Sequence, residues 1–418
     1  MDPLAGEFNF TRLEKVAFGP GKAASLGHEL ERRGLNRALI VTGKTLGRSR
    51  LLDKVTAAAS SRLAGVFKGA SQHVPSHTVA ALVKEYKRTG ADCMVSFGGG
   101  SPIDTVKVAA KRILEGSRPG AAAPHTIDFE AADVVGGPDL IHIAMPTTLS
   151  AGEFTPIGGV TDESSHVKGG VVDPRLAPRT IILDPELTVE TPAWLWTATG
   201  MRAMDHAVEV IYSSRHQLIA DTLGARAISL LVNHLPASLK TTGAESVAHR
   251  GRCQLAAWFS IFGIMSTRVG ISHALGHQIG PMWDVPHGVT SCITLPHVMR
   301  FMADVAPERF GPIAEGLGVR FDEHNARVAA MECAERMAKF IAQFEVPHRL
   351  RRRRSARRDR HDRGHSARRG RALEHGRAPG DTREPGSVAG GGVLESAATA
   401  TTSTRKRCMT WCLRDQRF

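Results

Sequence analysis

One segment constrains the fold of this chain more than any other: VSFGGGSPIDTVKVAAK, in which an apolar run gives way to three glycines. Residues 91–97 have the composition of a buried strand, and residues 98–100 form a turn without side chains. Ser101 is a favourable helix cap, and Asp104 lies at the capping-box position. The segment therefore predicts a strand that leads directly into a helix.

Other apolar runs extend this pattern along the chain. Residues 35–42, 139–146 and 179–183 read as strands, and helix-compatible segments lie between them. Strands that alternate with helices are typical of a largely parallel sheet covered by helices. Later in the chain the apolar residues recur with helical spacing. We therefore expect an α/β domain over residues 1–188 and an all-α domain over residues 189–348.

The net charge of +13 comes almost entirely from residues 349–418. This tail contains 19 basic and 7 acidic residues, which leaves 35 basic and 34 acidic residues for the rest of the chain. It has almost no large apolar side chains, so we expect it to be disordered. We interpret the Arg-rich tail as the product of a reading-frame shift. A native basic tail is the alternative, and with it a nucleic-acid-binding module, which the near-neutral body disfavours.

The remaining composition bears on the compartment. The six cysteines are scattered without the spacing of a disulfide framework, as in a reducing cytoplasm. No apolar run approaches the ~20 residues that a transmembrane helix needs. The first residues lack the basic-then-apolar pattern of a secretory signal. We expect a cytoplasmic protein with no membrane partner.

A glycine turn before a helix is also the layout of a phosphate-binding site. The unpaired N–H groups of the first helical turn and the helix dipole favour a pyrophosphate there. The turn is not the G-x-G-x-x-G fingerprint, however, and a plain strand–helix connection accounts equally well for three glycines. From these residues alone, both interpretations stay open.

Three histidines cluster in the segment GISHALGHQIGPMWDVPHG. His273 and His277 are one helical turn apart and share a face, and His287 can approach from the loop that follows Pro286. Imidazoles suit a divalent ion such as Fe²⁺ or Zn²⁺. The spacing fits a metal site, a proton-relay site or hydrogen-bonding histidines in a helical core.

Four segments in this order, GGGSPIDTVK, MPTTLSAGEFT, DPELT and HALGHQIG with DVPHG, resemble the motifs of the iron-containing alcohol dehydrogenase family. The similarity runs from about residue 10 to about residue 350. It implies a dehydroquinate synthase-like architecture, in which an α/β dinucleotide-binding domain is joined to a helical metal and substrate domain. The implied activity is NAD(P)-dependent hydride transfer to or from a small alcohol, aldehyde or oxo acid. We also expect a homo-oligomer.

The resemblance assigns roles to individual residues. The cofactor-binding residues that it implies are Gly98, Gly99, Gly100, Ser101, Asp104, Thr147, Thr148 and Lys168. The metal ligands that it implies are His206, His273 and His287, with His277 as the catalytic residue that moves a proton.

Gly43 bears on the choice between NAD and NADP. It follows the strand RALIVT at a position where NAD-preferring members of the family carry an acid. A carboxylate there accepts hydrogen bonds from the ribose and repels a 2′-phosphate. Gly43 removes that repulsion and Lys44 can attract the phosphate, so we predict that NADP(H) is accepted.

One residue departs from the family pattern. The family's D-x-x-x-H ligand pair is matched by TGMRAMDHAVE, which has Arg202 at the carboxylate position. An arginine has no lone pair to offer and cannot ligate a cation. Asp205 projects about 100° away from His206 on an ideal helix, which does not place it as the missing ligand, whereas a distorted helix could bring it in.

The maleylacetate reductase branch of the family departs from the metal shell at the same position. In a metal-independent reductase of oxo acids, Arg202 would be catalytic and would bind the acid or polarise its carbonyl. A metal-dependent dehydrogenase, such a reductase, and an inactive product that lacks its C-terminal helices are therefore the three alternatives.

Overall fold

A computed structural model describes residues 7–116, 139–163, 167–267, 270–283 and 285–349. Six parallel strands form one sheet in the order β1-β8-β5-β4-β2-β3, and β6 and β7 form a separate antiparallel pair. The strands are β1 Lys15–Phe18, β2 Ala38–Gly43, β3 Leu63–Ala70, β4 Cys93–Gly98, β5 Ile141–Pro146, β6 Ile157–Asp162, β7 Val167–Val172 and β8 Thr180–Leu183.

Helices surround the sheet and then make up the rest of the described chain. The helices that alternate with strands are α1 Leu26–Arg32, α2 Arg50–Ala59, α3 Ser76–Thr89 and α4 Gly100–Leu114. The later ones are α5 Ala193–Ile211, α6 Leu218–Lys240, α7 Gly243–Ile261, α8 Ile264–Thr267, α9 Ile271–Trp283, α10 His287–Val305, α11 Gly311–Leu317 and α12 Ala326–Ala342.

The central strands are apolar on both faces because helices cover both. Ile40 and Val95 pack with α1 and α2, whereas Leu39 and Met94 pack with α3 and α4. Side chains of one strand point alternately to opposite faces, so a doubly covered strand reads as a continuous apolar run. The predicted fold class, a parallel α/β layer followed by a helical part, is confirmed.

A third apolar core joins the sheet to the helices that follow it. Ala144 of β5 and Ile181 of β8 belong to the same buried cluster as Trp196 and Met201 of α5. This shared core fixes α5 against the sheet. The domain limits at residues 188 and 348 stay predictions.

Helix α4 begins differently from the prediction. The cap position is Gly99, the helix starts at Gly100, and no side chain caps its first turn. The prediction that Ser101 caps this helix is therefore wrong. Without a Cβ at Gly99 the chain enters the helix directly from the turn, and the first N–H groups have no side-chain acceptor.

Some sequence predictions concern features at the limits of the described chain. The tail over residues 349–418 lies outside the described residues except for Arg349, so its interpretation stays a prediction.

Cys93, Cys253, Cys292 and Cys333 are buried and free. Within the described ranges, no single helix has the length and apolar character to cross a bilayer. One bent pair, Gly243–Thr267 with Ile271–Gly280, meets those criteria only when taken together.

Candidate active site

The residues that the sequence assigns to the cofactor meet at one edge of the sheet. Strands β2, β4 and β5 are adjacent and parallel, so their carboxyl ends at Gly43, Gly98 and Pro146 lie side by side. The N–H of Thr147 donates to the carbonyl oxygen of Gly98 at 2.9 Å. In open parallel sheets this edge is where ligands bind.

The three glycines at residues 98–100 form a tight turn that connects β4 to α4. Gly98 has φ 143°, a left-handed conformation that side chains disfavour. A Cβ on Gly99 would lie 3.0 Å from Cγ2 of Thr148, so the turn and the segment after β5 approach closely. Residues 99–101 are partly exposed. Backbone N–H groups at an uncapped helix start therefore face an accessible space, which fits a pyrophosphate.

Two side chains of α4, Asp104 and Lys107, bind the segment that follows β5. Oδ2 of Asp104 accepts from the N–H of Gly159 at 3.3 Å instead of capping the helix, so the capping-box prediction is wrong. Lys107, which the sequence did not single out, donates to the carbonyl oxygens of Gly152 at 2.5 Å and Ile157 at 2.9 Å. The side chain of Lys168 lies outside the described residues, although its backbone belongs to β7.

Lys107 is completely buried, together with an unusual acid. Burial lowers the pKa of Lys107 to about 8, against the effect of the nearby Asp104 and Glu153 carboxyls. Burial raises the pKa of Glu153 to about 7, and its Oε2 has no hydrogen-bond partner within the described part of the chain. Lys107 and Glu153 therefore belong to a buried polar cluster between α4 and the segment after β5.

The three histidines of the sequence motif come together as predicted from their spacing. Ring centroids are 5.6 Å apart for His273 and His277, and 4.8 Å apart for His277 and His287. His287 is the first residue of α10. His277 is exposed, His287 is partly exposed and His273 is buried, so the cluster runs from the surface inward.

Glycine allows α10 to reach this position. A Cβ on Gly288 would lie 2.4 Å from the carbonyl oxygen of Ala198, so only glycine lets the start of α10 contact α5 this closely. The contact brings His287 next to the α5 residue that departs from the family pattern.

That residue, Arg202, lies between two of the histidines. Its Nη2 donates to Nε2 of His287 at 2.5 Å and to Nε2 of His273. Its Nη1 contacts Oδ2 of Asp205 at 3.4 Å and Oγ of Ser291 at 3.3 Å. Both imidazoles accept at Nε2, so the neutral rings carry their proton on Nδ1.

Arg202 is 5% exposed, and its Nη1 and Nη2 both hydrogen-bond protein groups. It is therefore placed behind the histidines, where it bonds the rings of His273 and His287. Direct contact between Arg202 and a substrate stays a prediction.

Two buried carboxylates complete the interior of the site. Ligand atoms of Asp205, Glu209 and His273 lie within 4.8 Å of one another. Oδ2 of Asp205 also accepts from Ser291 Oγ at 2.6 Å. Glu209 was not among the residues predicted from the sequence, although an acid one turn after Asp205 on an apolar helix is a visible signal.

Glu209 fixes the start of α9. It accepts from the backbone N–H groups of Gly270 at 3.0 Å, Ser272 at 2.7 Å and His273 at 3.2 Å. Burial raises its pKa to about 8, and the nearby Asp205 adds to the effect. This carboxyl therefore orients the helix that carries His273.

Burial and the charge of Arg202 together determine the protonation of the histidines in this site. Burial lowers the pKa of Arg202 to about 10, which keeps it cationic near neutrality. Burial first, and then the Arg202 charge, hold the pKa of His273 and of His206 well below the usual range. His206 lies with its ring centroid 5.0 Å from that of His273, and its buried Nδ1 has no partner among the described residues.

Hydrogen bonds connect the segment after β5 to α5 and to the residues just before this helix. The N–H of Leu149 donates to Oγ1 of Thr199 at 3.1 Å. Oγ1 of Thr191 donates to the carbonyl oxygen of Thr147 at 2.7 Å. The segment after β5 is therefore attached to the helix that carries Arg202.

Comparison with known proteins agrees with this geometry. The model of the iron-containing alcohol dehydrogenases matches residues 14–185, and that of the C-terminal region of the Fe-containing alcohol dehydrogenase family matches residues 196–360. This chain belongs to the iron-containing alcohol dehydrogenase family.

Three similar proteins illustrate the range of the family. The NAD-dependent methanol dehydrogenase of Bacillus methanolicus is 29% identical over 81% of this chain and 87% of its own length. The maleylacetate reductase of Burkholderia cepacia is 32% identical over 74% of this chain and 79% of its own. The structure of an alcohol dehydrogenase from Oenococcus oeni matches with a TM-score of 0.75 and 27% identity, over 83% of this chain and 89% of that one.

The chain is therefore a nicotinamide-dependent oxidoreductase of small alcohols or carbonyls, as the sequence predicted. The cofactors of this class are NAD(H) and a divalent metal such as Fe²⁺. The uncapped glycine turn fits a dinucleotide.

The predicted ligands His206, His273 and His287 do not fit a metal in this arrangement. Nε2 of both His273 and His287 is engaged by Arg202, whose charge opposes a cation. Whether these residues ever hold an ion stays a prediction.

Proposed function

We propose that this protein interconverts a small alcohol with its aldehyde or oxo compound at the exposed end of the histidine cluster, with NADP(H) accepted beside NAD(H). The observation that carries the proposal is the connection between the glycine turn and the histidine cluster. The segment after β5 contacts the glycine turn at Thr148 and helix α5 at Thr199. The segment after β5 thus connects the glycine turn, which suits a dinucleotide, to helix α5. Arg202 of this helix contacts the histidines that suit a substrate oxygen.

The nicotinamide, when bound, supplies or accepts a hydride at the substrate carbon. In the reducing direction, His277 gives the carbonyl oxygen its proton and later regains one from solvent, to which it is exposed. Arg202 provides a fixed positive charge behind His287, which favours the negative charge that develops on the oxygen. The residues proposed to hold the cofactor are those at the sheet edge, with Gly43 beside the ribose.

A second candidate substrate class is favoured by one observation. Arg202 gives the interior of the site a permanent positive charge beside two neutral histidines. Such a field attracts carboxylates, so small oxo acids of the maleylacetate type are the second candidate. We place the protein in the cytoplasm and propose that it forms a homo-oligomer with two domains meeting near residue 188.

The proposal is tested with the full-length protein and two substrate panels. Short aldehydes and short 2- or 4-oxo acids are offered with NADH or NADPH, and cofactor oxidation is followed by its near-ultraviolet absorbance. We expect turnover with at least one panel, and faster turnover of the acids if Arg202 sets the preference. Calorimetry that detects binding of neither NADH nor NADPH would contradict the proposal.

A further inference from the structure

We propose that the guanidinium of Arg202 takes the place of a divalent metal ion in this protein, so that the site is complete without metal. The inference extends the proposed function, because it states how the substrate oxygen is polarised. It also implies that one substitution, Arg202→Asp, creates a metal site in this chain.

The hydrogen bonds of Arg202 are those of a central cation. Nη2 is in contact with Nε2 of both His273 and His287, which come from different helices. Ligand atoms of these two rings and of His277 already lie within 4.8 Å of one another, as atoms around one ion do. The guanidinium therefore joins α9 and α10 as a shared ion would.

The surroundings of Arg202 are built for a permanent charge. Oδ2 of Asp205 lies 3.4 Å from Nη1 of Arg202 and is itself held by Ser291 at 2.6 Å. A buried arginine without such a carboxylate is strongly unfavourable. Asp205 is completely buried, so it serves the interior of the protein and not the solvent. We assign it as the positioning residue for Arg202.

The net charge of the site indicates which substitution tests the inference. Arg202→Asp replaces one positive charge by one negative charge, and a bound divalent ion restores the net charge of the wild-type site. The shorter side chain also removes the Nη2 contacts to Nε2 of His273 and His287 and adds a carboxylate ligand. Imidazoles with one carboxylate are a common set for Zn²⁺, Co²⁺ and Fe²⁺.

The experiment measures Co²⁺ uptake by the full-length protein after dialysis, from elemental analysis and from the visible absorption of the bound ion. We expect wild type to retain less than ~0.1 equivalent and Arg202→Asp to bind about one equivalent with nitrogen-ligand bands. Arg202→Met is the matched control, since it removes the charge and adds no ligand. Adding His273→Ala to Arg202→Asp is expected to abolish the uptake.

Wild-type protein that takes up one equivalent of Co²⁺ would overturn the inference. So would a folded Arg202→Asp variant, shown by a cooperative melt, that binds none. If that variant does not fold, the wild-type measurement decides. Calorimetry of NADPH binding on the same wild-type sample separates this inference from the proposed function, because a chain without metal that also ignores NADPH contradicts only the latter.

Discussion

The ammonium group of Lys107 donates to the carbonyl oxygen of Ile157 at 2.9 Å from a side chain with no exposed surface. The same group donates to the carbonyl oxygen of Gly152. Helix α4 begins at the glycine turn, and through Lys107 it binds the segment that follows β5. The same segment contacts the glycine turn at Thr148. We infer that Lys107 positions the cofactor edge without touching the cofactor.

Lys107→Met tests this role. The variant removes the charged donor that the carbonyl oxygens of Gly152 and Ile157 share, and hydrogen bonds to a charged group are worth about 1.5–3 kcal/mol each. We expect a lower melting temperature and about tenfold weaker binding of NADPH, with kcat changed much less. Calorimetry and thermal melts measure both effects.

The control for this substitution is Lys111→Met on the same helix. Lys111 is partly exposed and pairs with the exposed Glu115 and with the buried Asp173, which Arg175 also binds, so its loss leaves Asp173 with a cationic partner. NADPH affinity that falls equally in the Lys107 and Lys111 variants would rule out a specific role for Lys107.

His277→Asn tests the assignment of the proton. His277 is exposed at the open end of the cluster, and general acid–base catalysis contributes about 10²–10⁴-fold to a rate. We expect kcat to fall by that order while the Kd for NADPH stays within about twofold, because the residues proposed to hold the dinucleotide do not include His277. His297→Asn, at an exposed position of α10, is the control and is expected to keep full activity. Similar losses in both variants would remove His277 from the mechanism.

Gly43→Asp tests the choice between the two nicotinamide cofactors. The new carboxylate would sit at the end of β2 and repel a 2′-phosphate, so the ratio of kcat/KM for NADPH to that for NADH should fall by about tenfold or more. The new Cβ would lie 3.2 Å from the carbonyl oxygen of Ala70, which requires a small backbone shift. Lys44→Ala is expected to weaken NADPH alone. A ratio unchanged in both variants contradicts the prediction.

His142 gives a prediction for the pH dependence of stability. Burial, and then the Lys107 charge, lower the pKa of His142 to about 3 from 6.5, and its Nε2 lies 2.8 Å from Oγ of Ser96. Between pH 6.5 and about 3 the unfolded chain binds a proton at this position and the folded chain does not. The free energy of unfolding therefore falls as the pH falls through this window, by up to about 1.4 kcal/mol per pH unit from this group.

Urea denaturation of wild type and of His142→Gln at pH 7.5 and pH 5.5 measures this contribution. The variant is expected to be less stable at pH 7.5, because it loses a fitted buried ring, and to lose less stability on acidification. An equal loss in the two proteins would show that His142 does not contribute to the acid sensitivity.

The sequence revealed the strands that are buried on both faces, and it missed the two edge strands of the main sheet and the separate pair β6 and β7. The predicted strands correspond to β2, β4, β5 and β8, which lie inside the sheet. β1 and β3, which were not predicted, are the two edge strands, and their residues are mostly only partly buried. Because an edge strand has less apolar cover, its sequence carries a weaker apolar pattern.

For the site, spacing along the chain predicted the histidine cluster, since His273 and His277 are one helical turn apart. The position of Arg202 between His273 and His287 depends on how α5 packs against α9 and α10, which no local pattern encodes. Lys107 escaped notice for the same reason, because a lysine among alanines and valines reads as a surface residue until the neighbouring loop is in place.

The attachment of Leu149 to Thr199 and of Thr147 to Thr191 has a consequence for motion. A hinge motion between the glycine turn and the histidine cluster would have to break both bonds, each worth about 0.5–1.5 kcal/mol net. It would also have to disrupt the apolar core that Ala144 shares with α5. Rocking of one half on the other therefore has to start outside this stretch.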